Sequence, residues 1–317
     1  MTKHVPLELR CDNHELTWDL WDVIAPYASR WRRITLGARL RTLQDLKVLY
    51  MERLERLVIF AYDAPISPNL SVLDFVVAPH LRHIGLTLDE LQSARQLHIP
   101  VTWALTSLAI EAITPYSITH TLPLLQACAH SLQSLTLKIR YPLEGPEGSY
   151  PTSSSDTFAM KALTFLSLVD PACALLKHIT APLIQSLILS NVPTYGTQSL
   201  LGFLTRSQAS RTLLELRVYI PAEQDPSAWI PCLQLMDSLT DLHFDDMLTN
   251  EEFLKRMVIR ADERPLVPAL GWINVAHIFN THIELHEVLL DISGSRGKKV
   301  LLPDGRTAWQ ALGWFDD

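Results

Sequence analysis

The sequence predicts an α/β solenoid: a curved parallel sheet of short strands on the inside, with helices and loops outside. Three observations carry that expectation. First, the spacing apolar-x-x-apolar-x-apolar recurs ten times, starting at Trp31, Leu54, Leu81, Leu105, Leu132, Leu163, Ile184, Leu213, Leu239 and Leu270. Second, successive starts lie 23, 27, 24, 27, 31, 21, 29, 26 and 31 residues apart, mostly within or near the roughly 20 to 29 residue period of stacked strand-and-helix units. Third, several stretches between these beats carry helical periodicity. No single unit of this size can bury its apolar face alone, so neighbours must stack and share one core.

Taken in order, the rhythm begins at the start of the chain. Leu7 and Leu9 in "VPLELRC" stand 27 residues before Ile34 and Leu36, which adds a partial eleventh unit. The L-x-L step has period 2 and fits a strand whose alternate side chains point to opposite faces. "LTWDLWDVIAPYASRW" reads as a helix. "SITHTLPLLQACAH" (117–130) offers Ser117 or Thr119 as a cap, with Leu122, Leu125 and Cys128 recurring along one side. "TNEEFLKRMVI" opens with Thr249 or Asn250 ahead of Glu251 and Glu252, as a helix N-terminus prefers.

The rhythm is interrupted twice. "YPLEGPEGSYPTSSSD" (141–156) is rich in Pro, Gly and Ser and predicts a surface loop, in which Ser153 to Ser155 are candidate phosphate acceptors. After Ile292 the beat is lost. "KKVLL", the turn Pro303-Asp304-Gly305 and "RTAW" predict a β-hairpin that, with "WQALGWF", covers the apolar end of the solenoid. The expected organisation is therefore a solenoid over 1–292 and a C-terminal cap over 293–317.

Composition excludes several function classes. With 48% hydrophobic and 19% charged residues, the chain has the apolar material for an extended core and too little charge for disorder. No apolar run approaches the roughly 18 to 20 residues that cross a bilayer, and "MTKHVPLELRCDNHE" has no apolar segment of a secretory signal. A cytoplasmic or nuclear setting without membrane attachment is expected. A net charge of -7 argues against a nucleic-acid partner, whose binding would draw on a basic surface.

No catalytic constellation, metal site or cofactor motif is expected. Cys11, Cys128, Cys173 and Cys232 are far apart and form no CxxC pair, and three of them lie among apolar neighbours, as core cysteines do. His282 and His286 would share a helical face near His277. However, the residue three beyond Glu287 is Leu290, where the H-E-x-x-H pattern needs histidine. "SGSRGKK" has neither the glycine at 292 nor the Ser or Thr after Lys298 of a phosphate loop, and G-x-S-x-G is absent.

The beats resemble those of irregular leucine-rich repeats. The succession "PLELRC", "IAPYASRWRRITL", "LVIFAYDAP", "LVDPACALLKHITAPLIQSLILSN", "LTDLHFDDMLTNEEFLKRMVI" and "LVPALGWINV" is similar to the C-terminal substrate-binding part of fungal, basidiomycete-type F-box proteins. That similarity spans residue 5 to about 296. It implies a substrate receptor of a ubiquitin ligase, bound through an upstream F-box to a Skp adaptor and a cullin. Here repeat-like sequence begins directly, so Skp and cullin partners are expected only where an F-box precedes it. The alternative is a truncated or diverged scaffold with no ligase role, and a cryptic hydrolase stands third. The sequence also departs from the standard repeat, whose ninth place is asparagine. Those places hold Arg39, Tyr62, Asp89, Ile113, Arg140, Pro171, Val192, Pro221, Met247 and Ile278, so no asparagine ladder is expected.

If the three apolar positions of each beat point inward, the third, fifth and seventh share the exposed face. That face runs from basic through small and hydroxylated to mainly acidic, and it is the expected site for a protein partner. Its candidate residues are Arg33, Arg56, Phe60, His83, Glu111, Lys138, Phe165, Glu215, Arg217, Tyr219, Asp241, His243, Asp245 and Trp272. Charge complementarity would orient an elongated partner, and the aromatic side chains would add the contacts that dominate interface energies.

Overall fold

A computed structural model gives the architecture. It describes residues 5–11, 17–39, 42–43, 45–62, 73–88, 99–100, 103–113, 121–140, 157–193, 196–219, 226–245, 251–258, 265–275, 288, 290–292 and 294–295. The expected loop at 141–156, the histidines at 277, 282 and 286 and nearly all of the C-terminal cap lie outside these residues.

The principal strands are β1 (Leu7–Cys11), β2 (Trp31–Arg39), β3 (Arg56–Tyr62), β4 (His83–Leu88), β5 (Ser107–Ile113), β6 (Ser134–Arg140), β7 (Phe165–Val169), β8 (Ser186–Ser190), β9 (Glu215–Tyr219), β10 (Asp241–Asp245) and β11 (Trp272–Val275). They follow one another in chain order in an eleven-stranded parallel sheet, with short helices interleaved. The chain divides into two compact units, Met1–Leu163 and Thr164–Asp317.

Within each unit the beats align. In the first, Leu9, Ile34, Leu57, Ile84, Leu108 and Leu135 are successive register partners. In the second, the corresponding row is Leu166, Leu187, Leu216, Leu242 and Ile273. All but Leu9, which is half-buried on the first strand, are at most 2% exposed. The predicted α/β repeat architecture is therefore realised as stacked rows of leucine and its aliphatic relatives, whose burial from water supplies the main stabilisation.

The first beat differs in register from its expected alignment. Leu9 faces Ile34 and Cys11 faces Leu36, two residues later along β1 than Leu7 and Leu9. Leu7 faces Trp31, and the register shifts between Leu7 and Glu8. Trp31 and Ile34 are three residues apart but Leu7 and Leu9 only two, so the irregularity absorbs the extra residue of β2.

Six of the strands are launched from a tight turn. The N–H of a beat's first residue donates to the carbonyl three residues earlier: Leu54 to Met51, Leu81 to Ala78, Leu163 to Met160, Ile184 to Ala181, Leu239 to Met236 and Leu270 to Val267, at 3.1–3.3 Å. All six acceptor residues are fully buried, so the beat has a fourth inward position three residues ahead of its first.

Without the asparagine ladder, main-chain rungs join successive units. In the first unit Arg32 O accepts from Glu55 N, Glu55 O from Arg82 N, Arg82 O from Thr106 N and Thr106 O from Gln133 N, at 2.9–3.0 Å. In the second, Thr164 O accepts from Gln185 N, Gln185 O from Leu214 N, Leu214 O from Thr240 N and Thr240 O from Gly271 N, at 2.8–2.9 Å. Asn191 stands one place before the usual asparagine position. It adopts φ 51° and donates its backbone N–H to Tyr219 O at 2.8 Å.

The connections are more varied than one helix per unit. α1 (Thr17–Ile24) gives way to a 3-10 turn over Ala25–Arg30, because Pro26 has no N–H to continue the α-helical ladder. α2 (Leu122–Cys128) buries Leu122, Leu125 and Cys128, the stripe read from the sequence. It follows Thr121, whose side chain makes no cap hydrogen bond; Ser117 and Thr119 lie outside the described residues. α3 (Gly196–Ser207) is followed by the shorter α4 (Ile230–Leu233) and α5 (Glu251–Lys255), whose expected caps Thr249 and Asn250 are also outside. Buried Ser207 Oγ accepts the Ala181 N–H at 2.9 Å, and Arg206 Nη2 donates to Leu176 O at 2.6 Å. Cys128, Cys173 and Cys232 are buried and form no disulfide. Burial pushes the Cys128 thiol up to about 11 and that of Cys232 to about 12, which removes thiolate reactivity at neutral pH.

Candidate functional site

Because strand side chains alternate, the positions flanking each buried pair stand on the other side of the sheet. In the first unit Arg33, Arg56, His83, Ser107 and Ser134 form one row of register partners, and Thr35, Val58, Gly85, Ala109 and Thr136 the next. A third row holds Gly37, Phe60, Thr87, Glu111 and Lys138. Arg33, Arg56 and His83 are exposed, whereas Phe60, Glu111 and Lys138 are partly covered by their neighbours.

In the second unit the first row is Phe165, Ser186, Glu215, Asp241 and Trp272, and the second is Ser167, Ile188, Arg217, His243 and Asn274. Val169, Ser190, Tyr219 and Asp245 make the third. Phe165, Glu215, Tyr219, Asp241, His243 and Trp272 are half-buried and Arg217 is exposed; the side chain of Asp245 lies outside the described residues. All fourteen candidate residues thus occupy these rows, each within its own unit.

The charges on the face are arranged unevenly. Lys138 on β6 meets Glu111 on β5 at 2.6 Å. Arg217 Nε donates to Glu215 Oε1 at 2.6 Å, and Ser186 Oγ donates to Glu215 Oε2 at 2.6 Å. Partial burial alone would raise Glu215. The hydrogen bonds from Ser186 and Arg217, with the Arg217 charge, outweigh it and hold the carboxyl below its ordinary value. Asp241 accepts from Thr240 Oγ1 at 2.6 Å. The rings of Tyr219 and His243 lie 5.4 Å apart, tilted by 47°. At the other end of the chain, Arg33 reaches Glu8 at 3.3 Å, while the side chains of Arg56 and His83 have no hydrogen-bond or ion-pair partner among the described residues.

The sequence reading did not single out the strand starts of the first unit. An open groove of about 420 Å³ there is lined by Pro6, Arg32, Glu52, Arg53, Glu55 and His80. Arg32 Nε donates to Glu55 Oε2 across it at 2.8 Å. The signal was present as Arg32 after Trp31, as Glu52, Arg53 and Glu55 around Leu54, and as His80 ahead of Leu81. Such residues are common at turns, and only the strand register collects them.

No group of three or more His, Cys, Asp or Glu among the described residues is placed to hold a metal ion. No described helix is long and apolar enough to cross a membrane. No protein-family model matches the chain, and no curated protein matches it significantly.

Proposed function

We propose that this protein is a non-catalytic protein-recognition solenoid that works as the substrate-recognition part of an F-box-type ubiquitin ligase subunit would. One observation supports this reading most: within each unit, registered rows of varied side chains stand on one side of the sheet while the rows on the other are uniformly apolar. A core this regular constrains its own face and leaves the opposite one free to be chosen for a partner. Half-buried aromatic residues among polar ones, Phe60, Phe165, Tyr219 and Trp272, provide anchors of the type that carry most interface energy. The partner is a protein, which the net charge of -7 favours over nucleic acid.

Affinity purification of the full chain beside a variant carrying Arg56→Glu and Asp241→Lys tests the reading. The expected result is loss of partners from that variant and their retention by Gln198→Lys on α3. An identical partner set for all three proteins would overturn the face as the binding surface. Skp and cullin subunits in the eluate would support the ligase form of the reading, and their absence beside a retained partner would support a scaffold.

A further inference from the structure

The face places basic side chain types opposite one another in the first unit. Arg33, Arg56 and His83 are register partners on three successive strands, which run about 5 Å apart. Like charges directly opposite are unfavourable; in the second unit Glu215 and Asp241 are also register partners, but Glu215 is held by Ser186 and Arg217 and Asp241 by Thr240. Arg33 has Glu8, but the side chain of Arg56 has no ion-pair partner among the described residues.

The groove at the starts of the same strands continues the pattern. Its Arg32 is occupied by Glu55, yet Arg53 and His80 line it without a hydrogen-bond or ion-pair partner among the described residues. The side chain of Arg82, one residue before His83, is likewise unpartnered there and exposed. The side chains of Arg53, Arg56 and Arg82 thus stand without a hydrogen-bond or ion-pair partner among the described residues, on β3 and the turns leading into β3 and β4, beside the groove's Glu52 and the already engaged Glu55, in a chain whose net charge is -7. Folding gains nothing from this arrangement, whereas an anion bound across it would remove the repulsion.

We propose that this end of the face, with its groove, is the seat of an acidic segment of the protein partner, an extended stretch carrying several carboxylate side chains. The proposal rests on the protein-recognition reading above and names the chemistry of one end of that partner. An extended segment fits better than a single small anion because the cations are spread over neighbouring strands and from the turn onto the face, a span of about 10 Å.

Fluorescence anisotropy of the full chain with a labelled oligoglutamate peptide tests this, with an oligolysine peptide as the control. The expected result is binding of oligoglutamate only, weakening as salt rises toward physiological strength. Arg53→Glu and Arg56→Glu together should weaken it by about tenfold or more, and Gln198→Ala on α3, outside the face, should leave it unchanged. Arg56→Glu should also melt no lower than the parent chain, since it removes a like-charge contact; a misfolded variant would melt lower.

Oligoglutamate binding no tighter than oligolysine, or indifferent to both arginine reversals, overturns the proposal. So does displacement by inorganic phosphate at equal concentration, which would mark a small-anion site, or by a single-stranded oligonucleotide of equal charge. If these assays fail while partner capture still depends on Asp241, the recognition face stands and only the acidic segment is withdrawn.

Discussion

In the first unit the strands of the principal sheet run five to nine residues, and the side chains of Arg56 and His83 are left without partners above them among the described residues. In the second they run four or five residues, and Glu215 is tied to both Ser186 and Arg217. The two units stack the same beat but finish it differently. Longer strands spread the first unit's face, and its tryptophans fix the turns around it: Trp21 donates to Lys47 O at 2.8 Å and Trp31 to Ile24 O at 3.1 Å. Shorter strands in the second pass quickly into helical crossovers held by Ser207 and Arg206. The three non-glycine residues with positive φ, Asn191, Gln208 and Val267, all belong to the second unit among the described residues. Asn191 leaves β8, Gln208 ends α3 and Val267 sits in the turn leading into β11. The difference teaches that the rows set the stacking, while the connections set how much of the face is free to bind.

Leu57→Ala in the first unit and Leu187→Ala in the second probe what the two have in common. Both leucines are fully buried in equivalent rows, so each replacement should cost about 2–5 kcal/mol in denaturant unfolding. A large cost at one and a negligible cost at the other would break the equivalence. Ser207→Ala probes what belongs to the second unit alone. It leaves the buried Ala181 N–H without its acceptor and should cost about 1–3 kcal/mol in the same assay. A neutral result would mean that the crossover is held by packing only.

Gln208→Gly should act in the opposite direction. Gln208 follows α3 with φ 52°, a position that glycine takes without steric penalty. Thermal unfolding should show a gain of up to about 1 kcal/mol, and a loss would show that the glutamine side chain matters more than its backbone.

The smallest effect is expected at Arg217→Ala, below about 1 kcal/mol at neutral pH because the pair is partly solvated. Its sign with pH is fixed. The Glu215 carboxyl is held below its unfolded value, so its contribution is present above the ordinary carboxylate range and is lost as pH falls through the folded value. The difference between the parent chain and Arg217→Ala should therefore shrink on acidification, and a difference independent of pH would mean that the pair does not stabilise the second unit.

Much of this architecture was legible in the sequence, because the spacing of Leu54, Leu57 and Ile59 and of its counterparts reports strand alternation directly. The exposed rows follow from the same alternation. The register of β1 was not legible, since it depends on a local shift between Leu7 and Glu8 that no side-chain pattern announces. The buried position at Met51, Ala78, Met160, Ala181, Met236 and Val267 was present but concealed by its variety of side chains. The pairing of Glu111 with Lys138 needed cross-strand register, as did the gathering of Arg53 and His80 into one groove. The rungs between units use main-chain atoms and so leave no trace in composition.

Those rungs have a consequence for how the surface can change. The residue that gives its carbonyl or N–H is arginine, glutamate, threonine, glutamine, leucine or glycine from one coil to the next, since the bond takes nothing from the side chain. Proline alone is barred by covalent structure from the donating positions, having no hydrogen to offer. The rim along the strand starts can thus be rewritten residue by residue while the stitching beneath stays intact, and new specificities can arise there without loosening the coil.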